Sequence, residues 1–132
     1  MDSKKVTVYS CSGCSNVAQL ANSIAVKLDR QGIAKMSCIA GVGGDVSSLV
    51  KFAEKSQQIL VLDGCPLQCA AKCLERHNIE ASVHLVLTDY GLLKDQSNDV
   101  PPEVMEEFYA KACETVKDLE QLKLLEKSGA IK

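Results

Sequence analysis

The sequence contains no tryptophan, and aromatic residues make up only 4% of its 132 residues. Stacking platforms for bases or sugars are therefore not expected, since they need exposed aromatic rings. The net charge is only -2 at pH 7, which argues against a basic nucleic-acid-binding surface. The most apolar run, 59–62, is too short to span a bilayer. These features favour a protein with no nucleic-acid and no membrane partner.

Cysteine, in contrast, is abundant, with seven residues in the chain. The N-terminal residues carry positive charge but no apolar segment of signal-peptide length, which predicts a cytoplasmic protein. Thiols stay reduced in that compartment, and an odd number of cysteines suits a disulfide framework poorly. Metal binding or thiol chemistry is the better expectation.

Short apolar runs alternate with longer segments of helical periodicity. Strands are predicted at 5–10, within 33–40, at 58–63 and at 83–88. Helices are predicted from a cap at Ser15 or Asn16 to Gly32, from a cap at Asp45 or Ser47 onward, from Pro66 to about His77, and from Pro101-Pro102 onward. The glycine-rich stretch 41–44 is predicted to be a tight turn, and 94–100 a loop.

This order of elements predicts an α/β three-layer sandwich of Rossmann or flavodoxin type. Its mainly parallel sheet should have four strands in the order 2-1-3-4, since right-handed crossovers leave few alternatives. We expect a single domain over residues 1–132, with its core at about 4–120 and a frayed tail after Lys127.

Three cysteines follow predicted strands. Cys11 follows the first strand, Cys38 lies in or just after the second, and Cys65 directly follows the third. Because the carboxyl ends of parallel strands meet at one edge of a sheet, we expect these thiols to lie at the same edge. Adjacent strands are ~4.8 Å apart and a tetrahedral zinc ion needs sulfurs roughly 3.8 Å apart, so convergence on one metal is sterically reasonable in this strand order.

The segment 63–73 adds two further thiols. If a helix begins near Pro66, Cys65 lies at its cap, where free N–H groups stabilise a thiolate. Cys69, one turn later, still reaches the helix tip. Cys73 lies about 11 Å beyond the tip and is expected to pack the helix against the sheet. Cys113, on the last helix, is expected to be an ordinary core residue.

Other readings of the cysteines stay open. Cys11 and Cys14 form a Cys-x-x-Cys pair between a strand and a helix, which is the context of a thioredoxin-like redox motif. A thiol-disulfide oxidoreductase would then use Cys65 or Cys69 as the resolving thiol. Four cysteines also suit an iron–sulfur cluster. A phosphatase of the low-molecular-weight type is excluded, because Val17 stands where that mechanism needs an arginine.

The cysteine motifs resemble those of the DGC-domain family, whose members are expected to bind zinc. The resemblance covers the chain from Cys11 to about Lys94 and rests on four motifs: Asp63-Gly64-Cys65-Pro66-Leu67-Gln68-Cys69-Ala70, Cys11-Ser12-Gly13 with Ser15-Asn16, Cys38-Ile39-Ala40-Gly41-Val42-Gly43-Gly44, and Thr88-Asp89-Tyr90-Gly91. It implies a zinc site formed by Cys11, Cys38, Cys65 and Cys69. The family usually has a small residue at position 14, so Cys14 is an alternative ligand or a neighbouring redox thiol.

The resemblance brings no defined reaction with it. We expect zinc handling, zinc sensing or thiol-dependent chemistry, with the metal ion as the partner and a homo-oligomer compatible with the sequence. Asp63 and Asp89 are expected to hydrogen-bond around the ligands. Asp89 and Lys94 are candidates to face the same pocket, although residues at such positions are more often ordinary loop residues. His77 and His84 are expected to be structural.

Overall fold

The computed structural model describes residues 5–129. Four strands form one sheet: β1 (Thr7–Ser10), β2 (Lys35–Met36), β3 (Ile59–Asp63) and β4 (Val83–Val86). The strand order is β2-β1-β3-β4 and all three pairings are parallel, as predicted. The register places Val8 beside Leu60, and Leu62 beside Leu85. The ends of β1 and β3 therefore lie next to each other at one edge.

Five α-helices connect and cover the strands: α1 (Asn16–Arg30), α2 (Ile39–Gly43), α3 (Ser47–Lys55), α4 (Cys69–Glu75) and α5 (Pro102–Lys127). α1 packs against β1, β3 and α5, while α2 packs against α3 and α4. Every residue of β1 and β3 is buried, because helices cover both faces of these strands. The α/β class predicted from the sequence is confirmed.

α1 forms where the sequence predicts it. Ser15 is its N-cap, and the Ser15 hydroxyl accepts a hydrogen bond from the Ala18 N–H at 3.1 Å. Leu20, Ile24 and Leu28 follow at helical spacing and are all buried in the core. The chain leaves the helix through Gly32, whose positive φ of 72° favours glycine.

The glycine-rich stretch 41–44 is not the turn that the sequence predicts, because most of it belongs to α2. Its glycines allow close packing. A Cβ on Gly41 would clash with the Leu49 side chain, and one on Gly43 would lie 2.8 Å from the Cys73 sulfur. Cys73 therefore packs α4 against α2. The predicted cap at Asp45 or Ser47 is also wrong, since Val46 precedes α3 and provides no side-chain cap.

Two other predicted boundaries are wrong. α4 begins at Cys69 rather than near Pro66, because Gln68 adopts a left-handed conformation with φ of 55° that breaks any helix before it. β4 ends at Val86, and Leu87–Tyr90 forms a short 3-10 helix. Cys65 thus lies in a loop, not at a helix cap.

α5 ends at Lys127, and Ser128 and Gly129 form a turn after it. The rest of the predicted frayed tail, 130–132, and Lys4 at the predicted start of the core lie outside the described residues. Within 5–129, no helix has the length and apolar character needed to cross a membrane.

Candidate functional site

A cavity of about 170 Å³ opens at the edge of the sheet where β1 and β3 end. Three segments form its walls: residues 11–15 after β1, residues from 63 to 69 after β3, and the loop that carries Lys94 and Gln96. In open parallel sheets, ligands bind at this position, beyond the carboxyl ends of the strands where the strand order reverses. Four cysteines border the cavity: Cys11, Cys14, Cys65 and Cys69.

Cys11 is the shielded thiol of this group. Its side chain is buried, and its sulfur accepts a hydrogen bond from the Gly64 N–H at 3.2 Å. Burial raises the pKa of the Cys11 thiol to about 11, which the Gly64 N–H opposes and the nearby Asp63 increases. Without a cation in the cavity, Cys11 therefore carries its proton at neutral pH.

Cys65 and Cys69 are more accessible. Cys65 is half-buried, and Cys69 is exposed at the first position of α4. The Lys94 ammonium donates a hydrogen bond to the Cys65 sulfur at 3.5 Å. This contact places a positive charge beside one thiol of the cavity, whereas Cys11 has only a backbone N–H.

Asp63 holds the start of α4 against the end of β3. Its carboxylate is 1% exposed and accepts hydrogen bonds from the Ala70 N–H at 2.9 Å and the Ala71 N–H at 3.2 Å. The His84 ring, from β4, completes the arrangement with Nε2 at 2.8 Å from the Asp63 carboxylate. The short helix thus receives its cap from a strand residue, which fixes the position of Cys69.

Gly64 lets the loop after β3 approach α1 closely. A Cβ at this position would lie 2.6 Å from the Val17 carbonyl carbon and 2.8 Å from the Ala18 nitrogen. Any other residue would push the loop away from α1 and with it the N–H that contacts Cys11. The Asp-Gly-Cys sequence therefore combines a helix anchor, a close backbone approach and a thiol.

The loop that carries Lys94 is fastened to the start of α1 by Asn16. The Asn16 side chain donates to the Leu93 carbonyl at 3.0 Å and accepts from the Asp95 N–H at 2.6 Å. The Asn16 backbone N–H also donates to the Asp95 carbonyl at 2.7 Å. Asn16 thus holds the residues on both sides of Lys94.

Other residues considered from the sequence lie away from the cavity. Cys38 follows β2 as the residue before α2; it is exposed and does not border the cavity. Asp89 lies in the 3-10 helix and does not border it either. Cys73 packs on Gly43, and burial raises the pKa of its thiol. Cys113 is half-buried on α5.

The chemistry of the donors suits zinc, since thiolates are among its preferred ligands. In the part of the chain that the structure describes, however, no three Cys, His, Asp or Glu side chains already have the mutual spacing of a metal site. Metal binding would require the cysteine side chains to reorient within the cavity.

Two partnerships in this site were not predicted from the sequence. His84 was expected to be structural, but its pairing with Asp63 depends on the register of β3 and β4. Asn16 was predicted only as a candidate start of the first helix and as part of a motif, and its loop contacts lie 77–79 residues away along the chain. The sequence indicates Asn16 only as an asparagine directly after a helix N-cap serine. That pattern does not identify Leu93 and Asp95 as its partners.

Comparison with known proteins gives consistent matches. The sequence model of the DGC domain matches residues 7–112, from β1 into α5. The chain is 52% identical over 104 residues to the "Anaerobic and virulence modulator AnvM" of Pseudomonas aeruginosa, and the alignment covers 79% of each chain. No solved structure matches the chain.

Proposed function

The chain belongs to the DGC-domain family, and we propose that it binds one zinc ion through the thiols of its cavity. The observation that carries the proposal is that Cys11 and the pair Cys65 and Cys69, from two segments that lie far apart in the sequence, border one cavity. Zinc held by four thiolates is chemically quiet. A role in zinc handling or sensing therefore fits better than catalysis, and it is compatible with a relative named as a modulator.

The fourth ligand is either Cys14 or Cys38. Placement favours Cys14, which borders the cavity and is exposed, while the family resemblance favours Cys38. Cys38 would need a movement of the segment between β2 and α2 as well as a new side-chain orientation. Asp63 supports the site in either case, since its hydrogen bonds fix the start of α4.

Binding would release protons, because thiols coordinate zinc as thiolates. Zinc affinity therefore depends on pH. Cys11 contributes most to this pH dependence, since burial raises the pKa of its thiol to about 11. We therefore expect zinc affinity to rise with pH through the neutral and mildly alkaline range. The same burial keeps Cys11 a poor attacking group in the metal-free protein.

The test is zinc content and affinity of the reduced protein, measured by elemental analysis and by competition with a chromophoric chelator. We expect about one zinc per chain. Single substitutions Cys11→Ser, Cys65→Ser and Cys69→Ser should each abolish stoichiometric binding. Cys14→Ser and Cys38→Ser then identify the fourth ligand, because only one of them should weaken binding strongly.

Cys113→Ser is the matched control, since this thiol lies on α5 away from the cavity. Its zinc content should equal that of the unsubstituted chain. Absence of zinc in the reduced, unsubstituted protein after incubation with zinc salts would overturn the proposal.

A second candidate, thiol-disulfide exchange, is favoured by one contact: the ammonium of Lys94 at 3.5 Å from the Cys65 sulfur. Cys65 would then attack, and Cys69 or Cys14 would resolve the mixed disulfide. Reversible loss of two thiols on treatment with a small disulfide, in protein that binds no zinc, would support this candidate. If Cys14→Ser leaves the exchange unchanged, Cys69 is the resolving thiol.

An iron–sulfur cluster would show visible absorbance after anaerobic purification, so this alternative is tested separately. We also propose a cytoplasmic location, where thiols stay reduced. The metal ion is the proposed partner, and a homo-oligomer stays a prediction.

A further inference from the structure

We propose that Asn16 is a positioning residue that holds Lys94 over the cavity, and that Lys94 offsets the negative charge of the bound thiolates. The inference rests on the proposed zinc site. It assigns a role to the asparagine of the Ser15-Asn16 motif, which zinc coordination by the cysteines does not explain.

Asn16 grips the loop on both sides of Lys94. The amide group contacts the Leu93 carbonyl at 3.0 Å and the Asp95 N–H at 2.6 Å, and the backbone N–H contacts the Asp95 carbonyl at 2.7 Å. Because both neighbours of Lys94 are fixed to the rigid start of α1, the base of the lysine side chain has a fixed position.

The loop is also braced internally. The Asp95 carboxylate accepts hydrogen bonds from the Ser97 N–H at 2.8 Å and from the Asn98 amide at 3.1 Å. These bonds hold the carboxylate of Asp95 within its own loop. Across residues 5–129, no carboxylate lies within ion-pair distance of the Lys94 ammonium.

The charge of the site explains why a fixed cation is useful there. Four thiolates around Zn²⁺ carry a net charge of -2, and such a site needs donors close to the sulfurs. The cavity is also bordered by Asp63, whose carboxylate already forms hydrogen bonds with two N–H groups and with His84. Lys94, at 3.5 Å from the Cys65 sulfur, supplies the positive charge.

Asn16 does not border the cavity. Its amide oxygen also accepts a hydrogen bond from the Val17 N–H at 2.8 Å, within α1. If Asn16 acts on the thiols through the loop, Asn16→Ala should reproduce the effect of Lys94→Gln. A residue with a purely local role in α1 would leave the thiols unaffected.

The first measurement is zinc affinity by chelator competition. Lys94→Gln and Asn16→Ala should each weaken binding by about tenfold. Lys94→Arg keeps the charge and should stay close to the unsubstituted protein. Lys51→Gln, on α3, is the matched control for loss of a surface lysine and should change nothing.

The second measurement uses metal-free protein and an anionic alkylating reagent, iodoacetate, with each cysteine followed by mass spectrometry. Lys94→Gln and Asn16→Ala should slow alkylation of Cys65 by about three- to tenfold, because they remove from the Cys65 sulfur the positive charge that attracts the carboxylate of the reagent. Alkylation of Cys113, on α5 away from the cavity, should keep its rate in the same samples and serves as the internal control.

The two measurements separate the possible failures. No zinc binding by the unsubstituted protein overturns the zinc site and the charge-compensating role of Lys94 with it, while the Cys65 alkylation rates still decide whether Asn16 positions Lys94. Unchanged Cys65 alkylation in Lys94→Gln overturns the inference even if zinc binds. Lys94 is exposed, so that variant should keep the fold. An effect of Lys94→Gln without one of Asn16→Ala overturns the positioning role.

Discussion

The loops after β1 and β3 lie side by side, and each carries a cysteine to the same cavity, yet they are built differently. The loop after β1 leads into a helix that is capped by the residue next to it, Ser15. The loop after β3 leads into a helix that begins at Cys69 and is capped from the strand, by Asp63. A local cap is used in one loop and a distant one in the other.

The two thiols differ in the same way. Cys11 is buried beneath a backbone N–H, and burial raises the pKa of its thiol to about 11. Cys65 is half-buried beside a lysine ammonium. Two cysteines at one sheet edge thus have different surroundings. The loop after β3 covers Cys11, whereas Cys65 itself stays partly open to solvent.

Gly64→Ala should have the largest effect, since it separates the two loops. The new Cβ would lie within 2.8 Å of backbone atoms that cannot easily move, so we expect a loss of about 3 kcal/mol or more in the free energy of unfolding, measured by urea denaturation. Gly13→Ala is the matched control, because its Cβ would meet Ala18 at an ordinary 3.9 Å. Equal stability of the two variants would contradict the role of Gly64.

Asp63→Asn should have the next largest effect, because it weakens the distant cap. The amide keeps only one acceptor for the two N–H groups and His84, so about 2 kcal/mol of stability should be lost in urea denaturation. Amide hydrogen exchange should increase first at Ala70 and Ala71. The exposed Asp89→Asn is the control. Unaltered exchange in α4 would refute the cap.

Alkaline pH tests the difference between the two thiols. The pKa of Cys11 is raised from a usual 9.0 to about 11, so the folded chain holds this proton where the unfolded chain has lost it. The protonated Cys11 thiol therefore stabilises the folded state fully below about pH 9. As pH rises to about 11, about 2 kcal/mol of the free energy of unfolding should be lost. Comparing urea midpoints of the unsubstituted protein and Cys11→Ala at several pH values isolates this contribution. Cys113→Ala should keep the full pH dependence, and an identical loss in Cys11→Ala would exclude Cys11 as its source.

Ser15→Ala should have the smallest effect, because it removes one neutral hydrogen bond of the local cap. We expect a loss of about 1 kcal/mol in the free energy of unfolding. Ser12→Ala, at an exposed position in the same loop, should stay within about 0.5 kcal/mol. If the two variants are equally stable, the cap on α1 does not contribute.

The sequence predicted what depends on local pattern. The alternation of apolar runs and helical periods gave the strands and their order, and Ser15 before a periodic segment identified the start of α1 correctly. The prediction for α4 was wrong, because proline is a common first residue of a helix and the pattern therefore favours Pro66 as its start. In the structure, the backbone turns at Gln68 and the cap comes from Asp63. That information lies in tertiary contacts.

The site shows the same division. The sheet-edge argument correctly predicted that Cys11 and Cys65 approach the same edge. Lys94 borders the same cavity, although an ordinary loop role was the more common alternative for it. The sheet-edge argument also grouped Cys38 with Cys11 and Cys65, because it placed Cys38 in or just after the second strand. β2 has only two residues, and the chain then turns into α2. The glycines at 41 and 43 indicate helix packing, which no local pattern distinguishes from a turn.

The cavity has a consequence for protein synthesis, since its walls come from residues as far apart as Cys11 and Lys94. The 83 residues that follow Cys11, up to and including Lys94, take roughly 4–17 s to translate at 5–20 residues per second. All strand pairs are parallel, so no hairpin can form the edge earlier. The Cys11 thiol is therefore exposed on the nascent chain until the other walls of the cavity have been synthesised. Until then, a reducing environment is needed to keep it from oxidation.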